Sequence, residues 1–222
     1  MNIEHSNEIP TNKLVALQIN KTSMIGKIVG GRPVLMKHFP SMVQLYNLGN
    51  MCAGNILNSW TVLTAAHCFD YNQNVKEIVI QVVLHHKYNE TLNFACDIAM
   101  VFLSRSIRFT KNSKKGILAT DATWMSRGEK NFTVTGWGWT KKGLMMTYLR
   151  FIPNDECGRL HDLTLTRDMF CLYGEGTRDT CKGDSGGGVL WHGNSREVTK
   201  KLTSGTTYFP VIPDSRVLGT KP

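Results

Sequence analysis

CKGDSGGG, residues 181–188, sets Ser185 directly after Asp184 and among four glycines, so the local backbone is unencumbered and its N–H groups lie open. Two readings compete. Glycine and serine clusters between apolar segments commonly form surface turns. A serine that attacks a carbonyl, however, needs a base for its proton and donors for the resulting oxyanion, and a glycine-rich turn brings backbone N–H groups that close. The stretch alone does not decide between them; the rest of the chain does.

The chain has 222 residues, 41% of them hydrophobic, enough for a proper core in one domain or two small ones. Lys and Arg outnumber Asp and Glu by 26 to 17, a formal charge of +9, but the basic residues are scattered and run no longer than pairs such as Lys114-Lys115. That describes a solvated basic surface with no specific nucleic-acid face. Six cysteines, at 52, 68, 96, 157, 171 and 181, form no CxxC pair of the kind a zinc or thioredoxin-like site shows. Disulfides and an oxidising compartment are the better reading, and sequons at Asn20, Asn89 and Asn131 agree with a secreted, extracellular glycoprotein. Residues 1–27 contain only LVAL as an apolar run, too short for a signal-peptide core, and no stretch approaches bilayer length.

Short β-branched and aromatic runs recur between Gly, Pro, Asn and Asp: MVQLY, GNILN, WTVLTAA, EIVIQVVL, DIAMVFL, FTVTGWGW, TYLRFI, MFCLYG and GGVLW. These read as strands, with one short helix, NDECGRLHDL, after Pro153. Many short strands in two similar halves predict an all-β sandwich or barrel fold, with FTKNSKKG, 109–116, as the crossing between halves.

Two further residues change the reading of Ser185. His67 closes the apolar run WTVLTAA and is followed at once by Cys68. Asp97 opens the apolar strand DIAMVFL, where an ionised carboxylate loses hydration and needs a hydrogen-bonding partner. Each taken alone fits a structural role as well. In chain order they run His67, Asp97, Ser185, and with IVGG at 28–31, TAAHC at 64–68, DIAM at 97–100, GWG at 136–138 and GDSGG at 183–187 the chain resembles a trypsin-like serine protease of the chymotrypsin family.

The resemblance implies two six-stranded-type antiparallel Greek-key β-barrels, the first over about 28–116 and the second over about 117–222, preceded by a zymogen extension, 1–27. It implies Ser185 as nucleophile, His67 as general base and then acid, Asp97 as orienter of the imidazole, and the N–H groups of Gly183 and Ser185 as oxyanion hole. It places activation at the Lys27–Ile28 bond, with the freed amino group of Ile28 pairing with Asp184. Asp179, six residues before Ser185, stands where such proteases carry the floor of the primary specificity pocket, which implies cleavage after Arg or Lys. Disulfides Cys52–Cys68 and Cys157–Cys171 follow from the same likeness, as do protein and peptide substrates, an activating trypsin-like protease, protease inhibitors as partners, a monomer, and neither metal nor cofactor.

Three departures accompany the likeness. Only 29 residues separate His67 from Asp97, fewer than is usual, so a strand and a calcium-binding loop of some relatives are missing and the first barrel is expected to be incomplete. The sequence after Trp191 lacks a Ser-Trp-Gly segment, with LTSG at 202–205 a faint counterpart, although that region lines the specificity pocket in the family. Cys181 loses its usual partner, and Cys96 stands where the family often has asparagine. Two functions are therefore carried forward: a secreted endopeptidase, and a catalytically silent protease homologue that acts as a binding or regulatory module.

Overall fold

The computed structural model describes residues 16–18, 28, 30–72, 79–89, 95–118, 131–138, 143–162, 164–166, 168–180 and 183–190. Lys27, Asn20, Cys181 and everything after Leu190, including LTSG, lie outside them. The strands are β1 (Ala16–Gln18), β2 (Arg32–Pro33), β3 (Met42–Asn47), β4 (Asn50–Asn58), β5 (Thr61–Thr64), β6 (Val79–Leu84) and β7 (Ala99–Leu103) in the first half. In the second half come β8 (Asn131–Gly136), β9 (Met145–Ile152), the helix α1 (Asn154–His161), β10 (Cys171–Tyr173) and β11 (Val189–Leu190).

They form two antiparallel sheets with almost no helix, as an all-β fold requires. The first has the order β1-β3-β4-β5-β7-β6, and the second β10-β9-β8-β11, with β2 pairing to β9. The first sheet closes over Val43, Leu45, Ile56, Val62, Phe69 and Val101. The alternation of β7, with Ala99, Val101 and Leu103 buried and Met100 exposed, is that of a strand with one face on a core. The second core gathers Ile28, Phe132, Val134, Leu149, Leu172 and Val189. A third cluster, Phe39, Met42 and Ala53 against Leu144, Met146 and Leu190, is the seam between the halves.

The first sheet differs from the expectation of a missing strand. It has six strands, but one of them, β1, comes from upstream of Ile28 and pairs with β3 in the register Ala16↔Tyr46, Leu17↔Leu45, Gln18↔Gln44. The run WTVLTAA is a strand only over Thr61–Thr64; Ala65 stays extended, and Ala66–Phe69 then wind into a single 3-10 turn. The crossing segment around 109–116 lies on the first sheet, Lys114 N–H donating to Pro40 O (2.8 Å) and Gly116 N–H to Ile56 O (2.7 Å).

Both expected disulfides are formed. Cys52–Cys68 ties β4 to the 3-10 turn, and Cys157–Cys171 ties α1 to β10, each with Cα atoms 6.3 Å apart. The loops closed are short, 16 and 14 residues of separation, so each bond removes about 3 kcal/mol of unfolded-state entropy.

Candidate active site

His67 sits in the 3-10 turn that follows β5, and three attachments hold that turn. The first is the disulfide at Cys68. The second is Asn47, whose amide donates to Cys68 O (3.0 Å) and Asn72 O (2.9 Å) while its own oxygen accepts from Asn72 Nδ2 (3.0 Å). The third is Asp70, whose carboxylate accepts from the Tyr88 hydroxyl at 3.0 and 3.2 Å. Burial and that carboxylate together push the phenol well above its ordinary range, so Tyr88 remains a donor.

Asp97 is 3% exposed and spends both oxygens on His67: Oδ2 lies 2.6 Å from Nδ1, and Oδ1 accepts the backbone N–H at 2.8 Å. The two bonds fix the ring's position as well as its orientation, because one addresses the side chain and the other its own main chain. With Nδ1 so occupied, Nε2 is the nitrogen left for a second partner. Asp97 is itself aimed by its predecessor. Cys96 takes a left-handed conformation (φ 55°), its carbonyl accepts Ile98 N–H (2.7 Å), and its N–H donates to Asp168 Oδ2 (2.7 Å), a residue of the other half. Burial would raise the Asp168 carboxyl, but the Thr166 hydroxyl, the Cys96 N–H and the nearby His85 hold it below the usual carboxylate range.

Ser185 arrives from the second half on a tight turn. Gly187 N–H donates to Asp184 O (3.0 Å), and Gly186 has φ 80°, the position a type II turn gives to glycine. The first half grips this turn: Ala53 N–H donates to Ser185 O (2.7 Å) and Asn55 Nδ2 to Gly186 O (3.4 Å), while Thr64 Oγ1 ties Ala53 O to β5 (2.7 Å). Ser185 O consequently lies 4.0 Å from Sγ of Cys68, the residue after His67. The fold thus brings the three sequence-selected residues to one seam. His67 and Asp97 are bonded directly, and Ser185 is set beside them through β4 and the Cys52–Cys68 bridge. Because those two sulfurs are joined, they offer no thiolate to a metal.

Gly183 has φ 95°, a backbone conformation that favours glycine, and a Cβ there would displace the flexible end of Met51 and approach Gly138 O. Met51, which reads as one packing methionine among ten, therefore lies against Gly183; nothing local in the sequence marks it. Asp184 is buried and accepts Gly138 N–H at 2.7 Å, and Gly136 is glycine because any side chain there would meet the Asp184 carboxylate. Ile28 is 1% exposed in the continuous chain, packed in the second core with Val134 and Val189.

A small cavity opens beside Ser185, lined by Val134, Thr135, Thr180, Asp184 and Val189 among others. Asp179 stands one residue off this lining, its carboxylate accepting the N–H of Thr180 at 2.6 Å. Burial, with a contribution from the charge of Asp184, pushes its pKa up to about 6 against the opposing hydrogen bond. Asn89, the one sequon side chain among the described residues, is exposed at a left-handed turn (φ 60°).

The family model described as Trypsin matches residues 28–208. Coagulation factor IX of Oryctolagus cuniculus is 31% identical over 190 aligned residues, covering 72% of this chain and 68% of that protein. A match that begins at Ile28, runs through the seam holding His67, Asp97 and Ser185, and extends beyond it leaves one assignment: the chain belongs to the trypsin family, the trypsin-like serine proteases.

Proposed function

We propose that this chain is a secreted serine endopeptidase that cleaves after Arg or Lys and is activated by hydrolysis of the Lys27–Ile28 bond. The observation that carries the reading is the double engagement of His67 by buried Asp97, at 2.6 Å to the ring and 2.8 Å to the main chain. So much fixation of one imidazole serves proton transfer better than it serves packing, for which a single hydrogen bond suffices.

In the proposed reaction Ser185 Oγ attacks the substrate carbonyl carbon and passes its proton to His67 Nε2. The carbonyl oxygen takes the negative charge against the N–H groups of Gly183 and Ser185, and Asp97 stabilises the imidazolium. Collapse of the tetrahedral intermediate breaks the C–N bond, and the leaving amine takes the proton from His67. Water then repeats the sequence in reverse on the acyl-enzyme. Before activation the nitrogen of Ile28 is an amide and carries no charge; the cut supplies an ammonium group to the pocket that holds Asp184.

A fluorophosphonate probe tests this reading. Labelling at Ser185, located by mass spectrometry, should appear only after Ile28 becomes an N-terminus, and Ser185→Ala should abolish it. Clean cleavage at Lys27 with no labelling would instead favour the silent homologue, a reading that the specificity-pocket segment missing from the sequence supports.

Asp179 gives a second check, on specificity. A substrate cation is attracted only by the ionised carboxylate, and with a pKa of about 6 the ionised fraction rises about tenfold between pH 5 and pH 7. The ratio of kcat/KM for an arginine substrate to that for its neutral citrulline isostere should rise by about that factor across this interval and then level off. Titration of His67 cancels in the ratio. In Asp179→Ser the ratio should be low and flat; an unchanged profile would remove Asp179 from the pocket.

A further inference from the structure

We propose that the outer edge of β3 is a docking site for an extended peptide, and that its occupant is the segment around Ala16–Gln18 of the same chain, seated there by main-chain pairing. The residues before Ile28 are then a working strand of the first sheet and not only a leader to be removed.

The argument starts from the edge. β3 is paired to β4 along one side over its whole length, Met42↔Asn55 through Asn47↔Asn50. Four of its six residues are buried, so the strand cannot turn its free side away without exposing core. A bare row of N–H and C=O groups on such a strand is a template for any extended chain. β1 covers it antiparallel at Gln44, Leu45 and Tyr46, and the first sheet reaches six strands only through it.

The tether explains how so short a strand is retained. Nine residues, 19–27, link Gln18 to Ile28, which is anchored in the second core. That length keeps Gln18 within roughly 35 Å of Ile28, which gives the peptide an effective concentration that free peptide reaches only at high dose. Residues 16–27 contain no cysteine, so no disulfide is made from that stretch itself. If the cut at Lys27–Ile28 is made, which rests on the peptidase reading, β1 is held by pairing alone, and its presence becomes a dissociable property of the sheet.

Amide hydrogen exchange on the intact chain tests the site without recourse to activity. The amides of residues 16–18, and those of residues 44–46 directed at β1, should be protected. In Leu17→Pro, where the ring removes a donor and disrupts pairing, the β3 amides should exchange at least about tenfold faster, while Val62 and Val101 in the neighbouring strands keep their rates. A synthetic peptide of residues 14–21 added to the Leu17→Pro chain should restore protection, and the same peptide with proline at 17 should not. Equal exchange at 44–46 in the two chains, or unprotected amides at 16–18, would overturn the proposal. Native mass spectrometry of the cleaved protein then reads retention of the peptide bearing 16–18. Loss of that peptide on dilution is the dissociation expected once the tether is cut, retention at every dilution overturns the role given to the tether, and resistance of Lys27–Ile28 to trypsin counts against the activation reading and leaves the exchange result to decide the edge.

Discussion

Asp97→Asn is expected to lower the rate of Ser185 labelling by about 10⁴-fold, the loss in kcat that the same exchange causes in the family's well-studied triad, with little change in fold. The cause lies in the two bonds of Asp97. Oδ1 accepts the His67 N–H at 2.8 Å, a role an amide oxygen can keep. Once the oxygen is so used, the amide NH₂ takes the place of Oδ2, 2.6 Å from Nδ1, and presents a donor where an acceptor stood. Nδ1 must then accept, the proton moves to Nε2, and the nitrogen that should receive the serine proton is already protonated. Labelling measured before and after the exchange, with the melting temperature as control, checks this. A drop of less than tenfold would mean that Asp97 orients the turn without setting the tautomer.

Gly186→Ala is the corresponding test of the seam. A methyl group there would collide with Thr64 Oγ1 and the carbonyl of Ala53 and crowd Ala65 N, all in the first half, while φ 80° adds backbone strain. Overpacking against backbone and a left-handed alanine each cost about 1–3 kcal/mol, so about 3 kcal/mol is a moderate expectation, lowering Tm by roughly 6–12 °C for a chain of this size. Gly49→Ala supplies the comparison, since Gly49 has φ 83° but nothing within 4 Å of a Cβ. It carries the strain without the collision and should lose about 1 kcal/mol. Thermal melts of the two variants separate the contributions; coincident melts would show that the turn bearing Ser185 can shift away from β4 at little cost.

The site was more legible in the sequence than the fold around it. His67, Asp97 and Ser185 stand out because each is a reactive side chain at the end of an apolar run or in a glycine turn, a contrast that survives without coordinates. The strands β3, β6, β7 and β9 follow from their β-branched and aromatic runs, and α1 from the proline before it. The 3-10 turn at Ala66–Phe69 was not legible, because two alanines carry no pattern and only the bond from His67 N–H to Asp97 shows why extension must stop. β1 escaped for a different reason. LVAL is an ordinary apolar run, and what makes part of it a strand is a partner about thirty residues downstream. Asp168, Tyr88 and Met51 act on the site through contacts of the same long-range kind.

The bond from Cys96 N–H to Asp168 has one more implication. Asp97 belongs to the first half, yet the residue that aims it is restrained by a carboxylate of the second, the half that also carries Ser185. His67 and Ser185 are thus referenced to each other at two places, the turn under Ala53 and the strap at Cys96. Anything that binds across the seam and favours one relative setting of the halves changes the free energy of the His67–Ser185 arrangement by the same amount as that arrangement changes its affinity. The seam is in this sense a linkage element, and on the proposed function the reactivity of Ser185 is its readout.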